Sequence, residues 1–256
     1  MTIRVYGNVL SPYARNVYVT LQHKGLPCEI VDVLPHDKDA GFVRMSPLGK
    51  IPAFRDGDVT LCDSSVICDY LESRYPEPAF YPQDPVYRAH ALWIEEYADT
   101  ALQDGLLRGV CLERMIKPLV YKQPTDEDRV TKIIEHFLPP MFDYLEELVG
   151  ERHYLLGGHF SIADISVLSC FINAEMADFR PDAKRWPALV RYLERIPVLV
   201  LGETLEPVEL VGAVLVISGV VIANGGSIST SMPRASAVPT IRAREAPRSQ
   251  ATTAST

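Results

Sequence analysis

Three short stretches carry residue types that could do chemistry together. Ser11 follows the alternating run Ile3-Arg4-Val5-Tyr6 and precedes Pro12, a residue suited to a first helical turn. A hydroxyl at a helix N-cap lies beside free backbone N–H groups and the positive end of the helix. Such a position can hold a thiolate by hydrogen bonding, and a lowered thiol pKa supplies more nucleophile at neutral pH. The plain alternative is a serine that only caps its helix. Ile51-Pro52 enters an extended run. A cis bond there turns the Ile51 backbone outward, where a peptide-like ligand can pair with it as an added strand, and a trans bond carries no such meaning. Asp63-Ser64 ends a strand and opens a helix. The Ser64 hydroxyl and local N–H groups suit a carboxylate and Asp63 suits an ammonium, the two charges of a γ-glutamyl moiety, with ordinary capping as the alternative.

The surrounding pattern supplies elements to position these residues. Ile3 to Tyr6 and Cys28 to Val33 read as strands around a helix that starts at Ser11-Pro12 and is ended by Gly25. Lys38 to Met45 fits a short helix. Ala53 to Arg55 and Val59 to Cys62 flank Asp56-Gly57-Asp58, a hairpin signal, and Ser64 to Tyr75 is helical again. The order βαβαββα predicts one mixed four-stranded sheet with helices packed on it. Pro76, Pro78, Pro82 and Pro85 mark a linker, and a helical region follows. A long helix opens at Asp84-Pro85 with Ala89, Trp93 and Tyr97 in line. A second runs from about Asp126 with Ile133, Phe137, Met141, Leu145 and Leu148 on one stripe. Pro139-Pro140 inside that stripe predicts a kink or break. Ser161-Ile162-Ala163-Asp164 reads as a capping box with Asp in place of Glu, and Arg185 to Ile196 as a further helix.

In order and spacing, Ser11-Pro12-Tyr13-Ala14-Arg15-Asn16-Val17, Ser46-Pro47-Leu48-Gly49-Lys50-Ile51-Pro52-Ala53-Phe54 and Asp63-Ser64 resemble the N-terminal domain of the glutathione transferase family. Phe160-Ser161-Ile162-Ala163-Asp164 resembles the capping motif of that family's helical domain. The likeness covers residues 2–196. It implies an α/β plus all-α architecture, a thioredoxin-like N-terminal domain with an all-helical C-terminal domain. Ser11 would then be the thiol-activating hydroxyl, and Pro52 the cis-proline beside Ile51, whose backbone binds the cysteinyl part of glutathione. Asp63 and Ser64 would bind the γ-glutamyl end, Lys50 would reach a glutathione carboxylate, and Tyr13 would face the second substrate. Ser11 stands where disulfide-exchanging relatives carry cysteine, and Ala14 stands three residues on, which excludes a dithiol cycle. Tyr6, at the end of the first strand, is the competing activating group by analogy with other classes of the family. Leu10 before Ser11 departs from the doubled serine of the maleylacetoacetate isomerases.

Composition agrees with a cytoplasmic enzyme rather than a nucleic-acid, metal or membrane protein. The 256 residues carry a formal charge of −8, which disfavours nucleic acid. Cys28, Cys62, Cys68, Cys111 and Cys170 are scattered, odd in number and form no C-x-x-C pair, which argues against a disulfide framework or a zinc site. No metal and no cofactor beyond glutathione as substrate is expected. The expected partners are glutathione and a small apolar electrophile, with a homodimer implied by the resemblance. Five regions follow: residues 1–78 (glutathione-binding), 79–85 (Pro-rich linker), 86–197 (helical), 198–226 (an atypical apolar segment) and 227–256 (a tail). Leu210 to Ala223 holds no charge, and residues 202–223 resemble the last membrane helix of drug/metabolite transporters. Fourteen residues are short of the roughly 20 a spanning helix needs. An apolar helix packed on the helical domain, a recombination scar and a membrane anchor are the three readings of that run, with the anchor the least favoured. The tail carries four arginines against one glutamate, is rich in Ser, Thr, Pro and Ala, and is expected to be disordered. The predicted function is conjugation of glutathione thiolate to an apolar electrophile. The alternatives are a non-catalytic interaction module on the same fold or an inactive fusion product.

Overall fold

The structure, a computed structural model, describes residues 2–200. The apolar run of 202–223 and the tail of 227–256 lie outside the described residues.

β1 (Ile3–Tyr6), α1 (Pro12–His23), β2 (Cys28–Val31), α2 (Ala40–Met45), β3 (Ala53–Asp56), β4 (Val59–Cys62) and α3 (Ser64–Arg74) make the first unit. The strand order is β2-β1-β3-β4. β1 runs parallel to β2 and antiparallel to β3, with Val5 opposite Phe54. Alternate residues of a strand point to opposite faces of the sheet. Ile3 and Val5 enter a core with Val17 and Leu21 of α1, Phe54 of β3 and Ile67 and Leu71 of α3. Tyr6 and Ala53 instead meet Phe42 of α2. The sheet is therefore a layer between α1 and α3 on one side and α2 on the other.

The proline-rich connection is anchored to both units. Phe80 and Tyr81 are buried in the core of the first unit together with Ala91, Ile162 and Ile165 of the helical unit. The carboxylate of Glu72 accepts from the Phe80 N–H at 3.0 Å. Lys24 donates to the carbonyls of Tyr75 and Pro78, at 2.7 and 3.1 Å, and its ammonium is 2.7 Å from Glu72.

The helical unit begins with α4 (Pro85–Tyr97), capped by the Asp84 carboxylate at the N–H groups of Val86 and Tyr87. The same helical path widens to π-helical turns over Ala98–Leu102, passes through α5 (Gln103–Gly105) and widens again over Leu106–Tyr121. α6 (Glu127–Lys132), a π-helical turn at Ile133–Phe137, α7 (Pro139–Val149), α8 (Ile162–Met176) and α9 (Pro187–Val200) follow. The break expected at Pro139-Pro140 takes a specific form. The Leu138 N–H bonds back to Ile133, five residues away, and α7 restarts with its prolines in the first turn, where no N–H is needed. The extra residue in that turn advances the helical phase. Leu145 is fully buried while Phe137, expected on the same stripe, is 43% exposed. At the start of α8 the Asp164 carboxylate accepts from the N–H and hydroxyl of Ser161, at 2.9 and 3.1 Å. It also accepts from the Leu155 N–H and the Tyr192 hydroxyl, both at 2.9 Å. Twelve α8 residues, including Val167, Leu168 and Phe171, are buried, which makes α8 the central post of the unit.

Candidate active site between the two units

Ser11 caps α1. Its backbone is extended, with φ −74° and ψ 120°, and its Oγ accepts from the Ala14 N–H at 3.2 Å. The loop before it is tight: Asn8 Oδ1 accepts from the Leu10 N–H at 3.2 Å, and the Asn8 carbonyl accepts from the Ser11 N–H at 3.1 Å. Gly7 starts that loop. A Cβ at Gly7 would lie 3.2 Å from the Ala14 Cβ, 3.6 Å from the Ile51 Cβ and 3.7 Å from the Pro52 Cα. Gly7 therefore lies in van der Waals reach of Ile51 and Pro52, and a side chain there would crowd Ala14.

The Ile51–Pro52 peptide bond is cis. The ladder of β3 with β4 starts at the pair Ala53–Cys62, so Ile51 stands two residues beyond it at the end of the sheet. Gly49 holds φ at +64°, and a Cβ there would come within 2.9 Å of the His36 ring. That residue has to be glycine for the loop to lie against His36. Lys50 follows, exposed, with no ion pair among the described residues, and its carbonyl accepts from the Ser46 hydroxyl at 2.7 Å.

Asp63 caps α3 from a left-handed backbone, φ +87°, and its Oδ1 accepts from the N–H groups of Ser65 and Val66 at 3.1 and 3.3 Å. Ser64 is buried at the first helical position. Two carboxyls that sequence reasoning passed over lie behind this turn. Asp99 Oδ2 is 3.5 Å from the Ser65 hydroxyl, and Glu95 Oε2 accepts from the Tyr81 hydroxyl at 3.3 Å. Burial pushes Asp99 up to about 7, with the charges of Glu95 and Asp63 adding to the effect. Burial likewise raises Glu95 to about 7, against hydrogen bonding from Ser65 and Tyr81. The i, i+4 spacing of Glu95 and Asp99 was the available signal, but an acidic pair on a helix usually faces water.

Tyr13, on the first turn of α1, donates its hydroxyl to the Asp99 carbonyl at 3.4 Å and accepts from Arg108 Nη2 at 3.4 Å. Arg108 also pairs with Asp104 one turn earlier. Desolvation pushes the Tyr13 phenol up to about 12, so it stays protonated at neutral pH. Tyr6 goes elsewhere. It packs with Phe42 and Met45 on the α2 face and lines, with Val33, Asp37 and Arg44, an open recess of about 630 Å³ there.

Ser11, Ile51 and Pro52 are thus joined through Gly7, and Tyr13 and the Asp63-Ser64 turn are joined through Asp99. Lys50 is placed beside Ile51 by the chain alone. Among the described residues no group of three His, Cys, Asp or Glu side chains is arranged to hold a metal ion, and no helix is long and apolar enough to cross a membrane.

Residues 5–79 match the glutathione S-transferase N-terminal domain family and residues 111–198 its C-terminal domain family. A glutathione S-transferase of Hyoscyamus muticus is 30% identical over 201 residues, covering 73% of this chain and 92% of that protein. Glutathione S-transferase theta-3 of Mus musculus is 28% identical over 214 residues, 80% of this chain and 86% of that one. The solved structure of human glutathione S-transferase T1-1 in its apo form superposes with a TM-score of 0.70 at 24% identity, over 84% of this chain and 89% of that one, a likeness of fold. The match to both domain families and the 30% identity over most of a named glutathione S-transferase show the kinship, and the chain belongs to the glutathione S-transferase family.

Proposed function

We propose that this chain conjugates glutathione to a mostly apolar electrophile and that the Ser11 hydroxyl holds the glutathione sulfur as thiolate. The observation that carries the reading is the approach of the Gly7–Ser11 loop to the cis Ile51–Pro52 bond. A peptide laid along Ile51 as an extra strand brings a cysteinyl sulfur to the start of α1. There the Ser11 O–H donates to the sulfur, and the helix end favours the negative charge. Ser64 and the first N–H groups of α3 take the γ-glutamyl carboxylate, Asp63 takes the ammonium, and Lys50 takes a glutathione carboxylate. The thiol proton leaves to water, the sulfur lone pair forms the C–S bond, and the leaving group departs with the electrons of the bond it breaks. Tyr13 borders the second substrate, against the helical path around Ala101 to Met115. Holding both reactants in one cleft removes the entropy cost of their encounter.

Tyr6 is less suited to activate the thiol, because it turns to the α2 face while α1 packs on the other. Ser11 and Ala14 in place of cysteines support conjugation over disulfide exchange. A cytoplasmic homodimer acting in detoxification completes the proposal. The exposed apolar side chains of Val66 on α3 and Val86, Tyr87 and Trp93 on α4 support a second copy as their cover. Retention of the full chain on glutathione-agarose, followed by conjugation assays with a panel of electrophiles, tests the function. Retention with turnover supports it, and retention without turnover of any electrophile leaves a binding module instead.

A further inference from the structure

The loop that carries Ser11 is held from the helical unit. Asn173 of α8 donates its Nδ2 to the Leu10 carbonyl at 2.8 Å. Arg15 of α1 donates Nη2 to the Val9 carbonyl at 2.9 Å, and Nη1 to the Ser169 carbonyl at 2.9 Å and to Asn173 Oδ1 at 3.0 Å. The two residues immediately before Ser11 therefore have their carbonyls bound by one guanidinium and one amide, and those two side chains bind each other. Both are almost fully buried, Arg15 at 7% and Asn173 at 2% exposure. Earlier in α8, Ser169 donates its hydroxyl to Asn16 Oδ1 at 2.9 Å, and Asn16 Nδ2 donates to the Ser166 hydroxyl at 3.3 Å, so the same face of α8 also holds the residue after Arg15.

This arrangement exceeds what packing two helices together requires. Apolar contact would hold α1 on α8 without a buried cation. Here a guanidinium sits in the interior with no ion pair among the described residues, bound only to carbonyl and amide oxygens. Burying such a charge is costly unless its donors are all used. Arg15 makes three hydrogen bonds, to acceptors from α8 and from the loop that precedes Ser11.

We propose that Arg15 and Asn173 are positioning residues through which helix α8 of the helical unit fixes the Val9-Leu10 backbone and so aims the Ser11 hydroxyl at the glutathione sulfur. The proposal rests on the thiolate role of Ser11. It adds that the thiol-activating geometry belongs to both units, although glutathione itself is bound by the first. Loss of the clamp lets the Ser11 hydroxyl wander and weakens its bond to the thiolate, while Ile51, Asp63 and Ser64 keep their places.

The test uses the full chain and two readouts: glutathione affinity, and the apparent thiol pKa of bound glutathione from the ultraviolet absorbance of the thiolate. Asn173→Ala is expected to raise the thiol pKa by about one unit, a roughly tenfold loss of thiolate below that pKa. Glutathione affinity stays within about threefold. Placed on a Ser11→Ala background, the same substitution adds no further shift, because the group it positions is gone. A merely structural role lowers stability but does not produce that non-additivity. The proposal is overturned if Ser11→Ala raises the thiol pKa and Asn173→Ala does not, or if the two shifts simply add. If Ser11→Ala itself changes nothing, the thiolate reading fails and the clamp fails with it. Should Asn173→Ala not fold by circular dichroism, Asn173→Ser, which keeps a small polar group in the site, is read by the same criteria.

Discussion

The phenolic oxygen of Tyr13 lies 3.4 Å from the carbonyl oxygen of Asp99, joining the first turn of α1 to the point where the helix from α4 widens. The widened turn places Asp99 where it also meets Ser65 at the start of α3. One residue of the helical unit thus touches both helix starts that flank the proposed glutathione site.

Tyr13→Phe removes the hydroxyl that bonds Asp99 and Arg108. A part-buried hydrogen bond contributes about 1 kcal/mol, so kcat/KM for the electrophile is expected to fall about fivefold. Glutathione affinity stays within about twofold, because no proposed glutathione contact is lost. With its phenol pushed up to about 12, Tyr13 does not titrate near neutral pH, and the variant keeps the wild-type pH profile. A large loss of glutathione affinity, or a shifted profile, contradicts the placement of Tyr13 on the second-substrate side.

Glu95 and Asp99 give stability a pH dependence of unusual sign. Both are raised to about 7 in the folded chain by burial, well above ordinary carboxyl values. Between the ordinary range near 4 and about 7 the folded state holds more protons than the unfolded state, so stability falls as pH rises through that window. The double variant Glu95→Gln, Asp99→Asn lacks these protons. The Tm of the wild type relative to the variant is therefore expected to drop between pH 5 and pH 8. His23, lowered by burial, acts in the opposite direction but is common to both proteins and cancels in the comparison. A Tm difference that is flat across this range contradicts the buried acidic pair.

Lys24 and Glu72 form a buried ion pair that ties the proline-rich connection to the first unit. Lys24→Met leaves Glu72 buried without its cation, a loss of about 3–5 kcal/mol, whereas Lys24→Met with Glu72→Leu removes both charges and recovers only part of it, because the Phe80 N–H and the Tyr75 and Pro78 carbonyls lose these partners. Chemical denaturation of the three chains checks this. Equal stability of the single and double variants contradicts it.

Much of this was legible in the sequence because local chemistry set it. Ser11-Pro12, Asp63 and Asp84-Pro85 are cap signals whose meaning needs only the next few residues, and the helices start there. The alternation of β1 and the Asp56-Gly57-Asp58 turn predicted the mixed sheet. What escaped depends on distant partners. Asn173 is an unremarkable residue of an apolar helix until its amide meets Leu10, 163 residues away. Arg15 stands in the sequence only as one residue of the α1 motif, and nothing local to it shows that α8 buries it. The widened turns at Ala98–Leu102 and Ile133–Phe137 carry no residue signature, yet they bring Asp99 to the cleft and leave Phe137 half exposed. Phe80 and Tyr81 lie inside the run read as a Pro-rich linker, and their burial in the core carries no signal in that reading.

The central claim is that the Ser11 hydroxyl holds the thiolate, and the most direct measurement is a pH titration of glutathione bound to the wild type and to Ser11→Ala, followed by thiolate absorbance. The wild type is expected to titrate below the ordinary thiol value of about 8.5, and Ser11→Ala to return the bound thiol toward it with glutathione still bound. Identical titration curves for the two proteins, both at the ordinary thiol value or both below it, would contradict the account.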